Sequence, residues 1–250
     1  MTEPTSRGAD ADVLPSIDSP AASPASASKW EDFIDIFYAP SAVFARRMTS
    51  GFFVPMLVVT VLAGTLYLVN SAVWSQVMEA EMVRAQAKSS QTLTPEQMQT
   101  ARSFVLIVGK IGAFVLTPIA IFLTGLALWV CGKFFESKQT FGQAVMVASY
   151  AYVPRVVEGV VTSVQGLLLD PSTFTGRWRV SLGVGRFLDP DATSPALLAL
   201  VGRIDVFTIW VTVLLAIGLA VTGRISRGRA AIAAAIVWFI GAVPLLLQAR

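Results

Sequence analysis

The sequence predicts an all-α integral membrane protein, a helical bundle with five transmembrane helices preceded by a short amphipathic interfacial helix. Two observations lead to this fold class. Apolar residues make up 54% of the 250 residues and charged residues only 14%, whereas a soluble domain carries roughly 25% charged residues. Apolar segments long enough to cross a hydrocarbon core of ~30 Å as helices also recur along the chain. We therefore expect most of the apolar surface to face lipid.

Two segments are predicted to precede the first span. Residues 1–27 are rich in Ala, Ser, Pro and Asp, so they bury too little apolar surface to offset the entropy of ordering and are expected to form a disordered cytoplasmic tail. Residues 28–49 are expected to form an amphipathic juxtamembrane helix and a turn. Ser28 and Glu31 match a capping box at the start of this helix, and Pro40 ends the helical pattern.

One face of the juxtamembrane helix is aromatic and aliphatic: Trp30, Phe33, Ile34, Phe37 and Tyr38. The opposite face is acidic: Glu31, Asp32 and Asp35. Because this helix directly precedes a membrane span, its aromatic face is expected to lie in the membrane interface. Packing of this face against protein is the alternative.

The spans follow from apolar runs and helix caps. The first is predicted at residues 51–74, which contain no charged residue. Thr94 and Gln97 match a capping box for a helix that crosses the membrane at about residues 104–130. The remaining spans are predicted at residues 141–169, 195–222 and 230–247. The five-helix domain then covers residues 50–250.

The third span carries Pro154, Arg155 and Glu158 in its middle. Pro154 removes one backbone donor and crowds the carbonyl of Tyr150, so a kink or a break into two half-helices is expected. A charge at bilayer depth costs at least ~2.5 kcal/mol. Arg155 and Glu158 therefore require partners elsewhere in the bundle.

The fourth span supplies these partners as Arg203 and Asp205. Arg155 and Glu158 are three residues apart and can face each other on one helix, whereas Arg203 and Asp205 are two apart and point to different sides. We expect Asp205 to reach Arg155, and Arg203 to reach Glu158. Two interpretations of this intramembrane cluster stay open: the charges fix the helix register, or they bind an anionic lipid head group or move protons.

The residue inventory argues against catalysis and against a cofactor. The chain has no histidine, which excludes Ser-His-Asp and Cys-His catalysis, His-bearing zinc sites and a His-ligated haem. Its net charge of +3 is spread too evenly to suggest nucleic-acid binding and instead indicates contact with the inner leaflet. The expected partners are the lipid bilayer, anionic lipids, and a membrane protein or a second copy of the chain.

Basic residues in short connections predict the orientation. The connections 132–140 and 223–229 hold five basic residues and would lie on the same side as Arg46 and Arg47. Basic residues accumulate in cytoplasmic loops. The N-terminus is therefore expected in the cytoplasm and the C-terminus outside.

Three tracts resemble the Yip (Ypt-interacting protein) domain family. The first, residues 30–44, contains the Pro-Ser turn at Pro40; the second, residues 141–154, ends in Tyr-Ala-Tyr-Val-Pro with Tyr152 and Pro154. The third begins at Asp205 and continues through Phe207, Trp210 and Gly218. In this order and spacing the tracts cover about residues 30–247, and the composition, rich in Ala, Val and Arg, resembles that of bacterial members.

The resemblance implies a five-span protein with a cytoplasmic N-terminus, in the bacterial cytoplasmic membrane. Eukaryotic relatives are associated with Rab-type GTPases and vesicle traffic, whereas bacterial relatives have no established biochemical activity. The short tail and a predicted external loop with three arginines depart from the eukaryotic pattern, which argues against a GTPase partner here.

We expect a non-enzymatic scaffold or adaptor that organises membrane partners or lipids, because the tail and the amphipathic helix offer contacts and no catalytic set is present. A small transporter or channel that uses the broken third helix is the alternative, since such proteins place ionisable residues at the midplane. An intramembrane enzyme would need Glu158 and Asp205 to act as a carboxylate pair.

Overall fold

A computed structural model of the chain describes residue 28 and residues 30–88 and 94–248. The predicted tail, residues 1–27, lies outside the described residues. The described residues form twelve α-helices and two short 3-10 helices, at Pro171–Thr173 and Val184–Phe187.

Helices α1 (Asp32–Tyr38) and α2 (Pro40–Arg46) form a helical hairpin, which we call the N-terminal hairpin. The predicted helix ends before Pro40, but no simple turn follows. Pro40 instead opens a second helix, because its fixed φ suits the first helical position and its missing N–H is not needed there. The hairpin packs against the helices of the third and fourth predicted spans.

The first predicted span is α3 (Phe53–Val69), and the chain bends by 72° before α4 (Ser71–Lys88). Asn70 lies at this elbow, and its side-chain amide donates to the Gly159 carbonyl at 3.0 Å. Helix α5 (Pro95–Phe134) begins with the predicted capping box of Thr94 and Gln97. Its 40 residues reach about 60 Å, roughly twice the thickness of a hydrocarbon core.

The third predicted span consists of α6 (Phe141–Ala151) and α7 (Val153–Leu168), separated at Tyr152. Pro154 occupies the first turn of α7, where its missing donor leaves no intrahelical bond unmade. Helix α6 is the centre of the bundle, because every residue from 144 to 151 is buried. It packs against α3, α5 and α10.

The fourth predicted span, residues 195–222, is not one helix. It is divided into α9 (Pro195–Val201) and α10 (Val206–Gly223), because Asp205 caps α10 by accepting from the backbone N–H groups of Phe207 and Thr208, each at 2.9 Å. Helix α8 (Arg177–Val180) lies in the preceding connection. The last span is α11 (Arg227–Ile240) followed, after Gly241, by α12 (Val243–Gln248).

Four helical segments among the described residues are long and apolar enough to cross a bilayer: α5, α6 with α7, α10, and α11 with α12. The pair of α3 and α4, bent by 72°, makes a fifth when it is counted as one span. Large apolar side chains are exposed along α5: Phe104, Ile107, Val108, Ile111, Val115, Leu116, Ile119, Leu123, Leu126 and Val130. Soluble proteins rarely expose so large an apolar patch. The chain is an all-α integral membrane bundle, as predicted.

Candidate functional site

A buried carboxylate fixes the N-terminal hairpin to the bundle. Asp32 is fully buried and accepts hydrogen bonds from Arg46 Nε at 2.7 Å, from Arg47 Nε at 2.5 Å and from the Tyr150 hydroxyl at 3.1 Å. We call Asp32, Arg46, Arg47 and Tyr150 the hairpin cluster. Because its members come from α1, from the end of α2 and from α6, the cluster joins three elements.

Periodicity groups Asp32 with Glu31 and Asp35 on one acidic face, but Asp32 is fully buried whereas Glu31 is exposed. Helical periodicity assigns a residue to a face from its neighbours on the same helix, whereas the partners of Asp32 lie 14 and 15 residues later and on another span. The signal in the sequence was the adjacent pair Arg46 and Arg47, which follows the acidic residues of α1 closely enough to pair with one of them.

The predicted aromatic face is divided between the protein interior and the exterior. The ring of Phe33 lies 5.6 Å from that of Tyr150, and the ring of Phe37 lies 5.0 Å from that of Trp210. The other three members form an exposed stripe at helical spacing: Trp30, Ile34 and Tyr38, with exposures of 68%, 63% and 85%. Only part of the predicted face therefore packs against protein, through Phe33 and Phe37.

A second group of charges joins α7 to α10. Arg155 pairs with Glu158 at 2.6 Å, donates to the Thr208 hydroxyl at 2.6 Å and approaches the Asp205 carboxylate at 3.9 Å. The Thr208 hydroxyl in turn donates to Asp205. We call Arg155, Glu158, Asp205 and Thr208 the central polar cluster. It contains the expected approach of Asp205 to Arg155.

Arg203 does not reach Glu158, contrary to the expectation. Its guanidinium donates to the carbonyl oxygens of Trp238 at 3.1 Å and Gly241 at 3.0 Å, and it lies 5.3 Å from the Trp238 ring centre. The break between α9 and α10 turns Arg203 toward the end of α11. The last carbonyls of a helix lack intrahelical donors, so Arg203 caps α11.

A cavity of about 280 Å³, which we call the elbow cavity, adjoins the central polar cluster. Its walls come from the bend between α3 and α4, from α7, and from the segment around α8: Ala63, Leu66, Tyr67, Asn70, Trp74, Arg155, Glu158, Gly159, Thr162, Arg177, Val180 and Ser181. The side chains of Arg155 and Glu158 are each 32% exposed. The ion pair is therefore accessible from the cavity.

Replacing Arg155 with Ala is expected to destabilise the protein by about 1–3 kcal/mol, because Glu158 and Asp205 lose the cation that they share. The cost stays below that of a fully buried pair, since Arg155 and Glu158 are partly exposed. Thermal unfolding of the purified protein and its amount in the membrane fraction measure the effect. Arg179→Ala, at an exposed position nearby, is the control. Normal abundance and unfolding of Arg155→Ala would show that these charges do not hold α7 to α10.

The positions of the family-like tracts occupy the junctions of the bundle. Pro40 opens α2, Tyr152 separates α6 from α7 with its hydroxyl 2.9 Å from that of Thr124, and Pro154 begins α7. On α10, Asp205 is the cap, Phe207 is buried, Trp210 packs on Phe37, and Gly218 faces Val147 of α6.

The comparisons with known proteins agree with these tracts. The model of the Yip1 domain family matches residues 34–248. Membrane protein YknW of Bacillus subtilis (strain 168) is 26% identical over 161 residues, which are 64% of this chain and 66% of that relative. This chain thus spans just under two thirds of that relative's length. No solved structure matches. The chain belongs to the Yip1 domain family, as a bacterial-type member of these multi-pass membrane proteins.

Proposed function

We propose that this chain is a non-enzymatic membrane adaptor that presents its N-terminal hairpin to a membrane-protein partner. The supporting observation is that Asp32 holds α1 rigidly on the bundle while Trp30, Ile34 and Tyr38 stay exposed on the other side. Exposed aromatic side chains on a fixed element lose little conformational freedom on binding, and aromatic residues are enriched at protein interfaces.

The charge of the hairpin favours a protein over anionic lipid as the partner. Residues 28–47 carry three acidic and three basic residues, so no net charge draws this segment to anionic head groups. A basic amphipathic segment would be the usual anchor on such lipids. The apolar stripe is therefore expected to be covered by the surface of another membrane protein.

The proposed location is the bacterial cytoplasmic membrane, with the hairpin on the cytoplasmic side. Several contacts join the basic segments at one end of the bundle: the Lys138 N–H donates to the Gly223 carbonyl at 3.0 Å, and Arg229 pairs with Glu136 at 3.3 Å. The Gln143 side chain also donates to the Met48 carbonyl at 3.0 Å. Basic residues gathered at one end favour the cytoplasmic side for that end.

The non-enzymatic part of the proposal rests on the two membrane-depth carboxylates. Glu158 and Asp205 both lie against Arg155. An acid–base carboxylate pair instead keeps its two groups in different environments, one of which favours the protonated form. The arrangement here supports a structural or ligand-binding role for both acids.

Photo-crosslinking from the exposed stripe tests the adaptor. We expect Tyr38→benzoylphenylalanine to give a discrete protein adduct in living cells, and Phe104→benzoylphenylalanine, on the apolar face of α5, to give lipid adducts only. Ile34→Glu should abolish the protein adduct without lowering the amount of protein in the membrane, because Ile34 lies outside the hairpin cluster. Lipid adducts alone at both positions would contradict a protein partner.

Transport is a second candidate, because the elbow cavity is lined by charged residues. Its lining residues come from α3, α4, α7 and residues 177–181, which supports binding at one end of the bundle more than passage through it. Solute uptake by vesicles that contain the purified protein, lost in Glu158→Gln, would favour transport over the adaptor.

A further inference from the structure

We infer that the elbow cavity binds a zwitterion that carries a phosphate and a primary ammonium, the chemistry of an ethanolamine phospholipid head group. Its size is the first argument. At about 280 Å³ the cavity lies just below the roughly 300–1,000 Å³ of pockets for drug-sized ligands. It therefore suits a head group rather than a large ligand. This inference is independent of the proposed adaptor role.

Opposite charges on different walls are the second argument. Glu158 comes from α7 and Arg177 from the segment around α8. Arg155 is already held by Glu158, Asp205 and Thr208, so it is committed within the central polar cluster. Glu158 binds Arg155 through Oε2, which leaves its Oε1 to accept from a ligand. This oxygen and the Arg177 guanidinium are then the charged groups that can face a ligand, and such a cavity favours a ligand with one positive and one negative group.

The phosphate would lie on the side of Arg177. The Arg177 guanidinium stacks on the Trp178 ring, 4.7 Å from its centre, and forms no ion pair within the described part of the chain. A planar guanidinium fixed in this way is well suited to bind a phosphate through two N–H groups. Ser181 lies on the same wall, and its oxygen accepts from the Gly183 N–H at 3.0 Å, which leaves its O–H free to donate to an anion.

The ammonium would lie on the side of Glu158. Nearby, the rings of Tyr67 and Trp74 are stacked, with centres 5.8 Å apart and planes at 16°. Aromatic faces attract cations, and a carboxylate accepts charge-assisted hydrogen bonds from an ammonium. Ala63 and Leu66 of α3 form an apolar part of the wall, against which the glycerol and the start of the acyl chains would lie.

Lipid retention measured by native mass spectrometry tests the inference, with the full-length protein in mixed micelles. The probes are phosphatidylethanolamine and phosphatidylcholine with the same acyl chains. They share the phosphate, but the quaternary ammonium of choline has no N–H to donate to Glu158. We expect a preference for phosphatidylethanolamine of roughly tenfold, the size of one charge-assisted hydrogen bond. Equal retention of the two lipids by the wild-type protein would overturn the inference.

Three variants sharpen this test. Glu158→Gln keeps the shape and an acceptor for Arg155, and it should abolish the discrimination between the two lipids. Arg177→Gln should weaken the retention of both lipids to a similar extent, whereas Arg179→Gln, outside the cavity lining, should change neither. A preference for phosphatidylethanolamine that survives Glu158→Gln would place the head group elsewhere and contradict the site.

A competition distinguishes the two sources of this chemistry. If soluble phosphoethanolamine displaces the retained lipid from the wild-type protein, the site recognises the head group in either form. If the preference for phosphatidylethanolamine is kept and the soluble compound has no effect, the ligand is the lipid, since its acyl chains are then required. Both results support the dipolar site, provided that Glu158→Gln removes the preference.

Discussion

Replacing Asp32 with Ala is expected to destabilise the protein by about 3–5 kcal/mol, the cost of removing one partner from a buried ion pair. The substitution takes away the fully buried carboxylate that Arg46, Arg47 and Tyr150 share. The N-terminal hairpin should then detach from α6. The midpoint of thermal unfolding and the protease sensitivity of the peptide bonds near Pro40 measure the two effects.

Asp35→Ala is the matched control for Asp32→Ala. Asp35 also pairs with Arg46, but its side chain is 39% exposed, and exposed ion pairs contribute about 0–1 kcal/mol. Tyr150→Phe should fall between them, because it removes one hydrogen bond to Asp32 and leaves both arginines in place. If Asp32→Ala and Asp35→Ala had equal, small effects, the hairpin cluster would not be what fixes the hairpin.

Gly125→Leu is the second substitution with a large expected effect, because Gly125 lies where α5 crosses α6. A Cβ atom at this position would lie 2.8 Å from the Cα of Val145. Backbone atoms cannot rotate away as a flexible side chain can, so the two helices must separate. Overpacking a well-packed interior costs typically about 1–3 kcal/mol, and a leucine at a backbone contact is expected at or above the upper end of this range.

A series of substitutions separates the effect of the close contact between α5 and α6 from the intrinsic effect of replacing a glycine in a helix. Gly125→Ala should destabilise the protein, and Gly125→Leu should destabilise it more strongly. Gly142→Ala should be neutral or slightly stabilising, because nothing lies within 4 Å of a Cβ there and alanine favours a helix. Thermal unfolding in detergent compares the three variants. A stable Gly125→Leu protein would show that α5 and α6 are not in close contact.

The sequence was sufficient to predict the helical class, the apolar segments and the break at Pro154, because each depends on local properties. A long apolar run, a missing backbone donor and a cap are visible within a few residues. The bends at Asn70 and between α9 and α10 were missed, because apolar periodicity continues through them. The elbow at Asn70 is supported by a contact with Gly159, which is 89 residues away in sequence.

In the candidate site, too, some positions could be predicted from the sequence, whereas others depended on contacts with distant segments. The three-residue spacing of Arg155 and Glu158 on one helix was enough to predict that they pair. The energetic cost of an unpaired buried charge was enough to predict that Asp205 approaches Arg155. The environments of Asp32 and Arg203 could not be predicted in this way, because their partners lie on distant helices. Asp32 accepts from Tyr150 of α6, and Arg203 donates to the Trp238 carbonyl of α11. An Asp ahead of Val206 and Phe207 was itself a readable N-cap signal, but the apolar run around it concealed the start of a new helix.

The length of α5 has a practical consequence for imaging this protein. At 26.7 kDa, the molecule offers few features by which single particles can be aligned. Residues 95–103 of α5 precede its exposed apolar run, which begins at Phe104, and Arg102 in this part pairs with Glu79 of α4 at 2.8 Å. A rigid soluble domain inserted immediately before the Thr94 cap would therefore project beyond the apolar part of α5 and serve as a fiducial marker for electron cryomicroscopy.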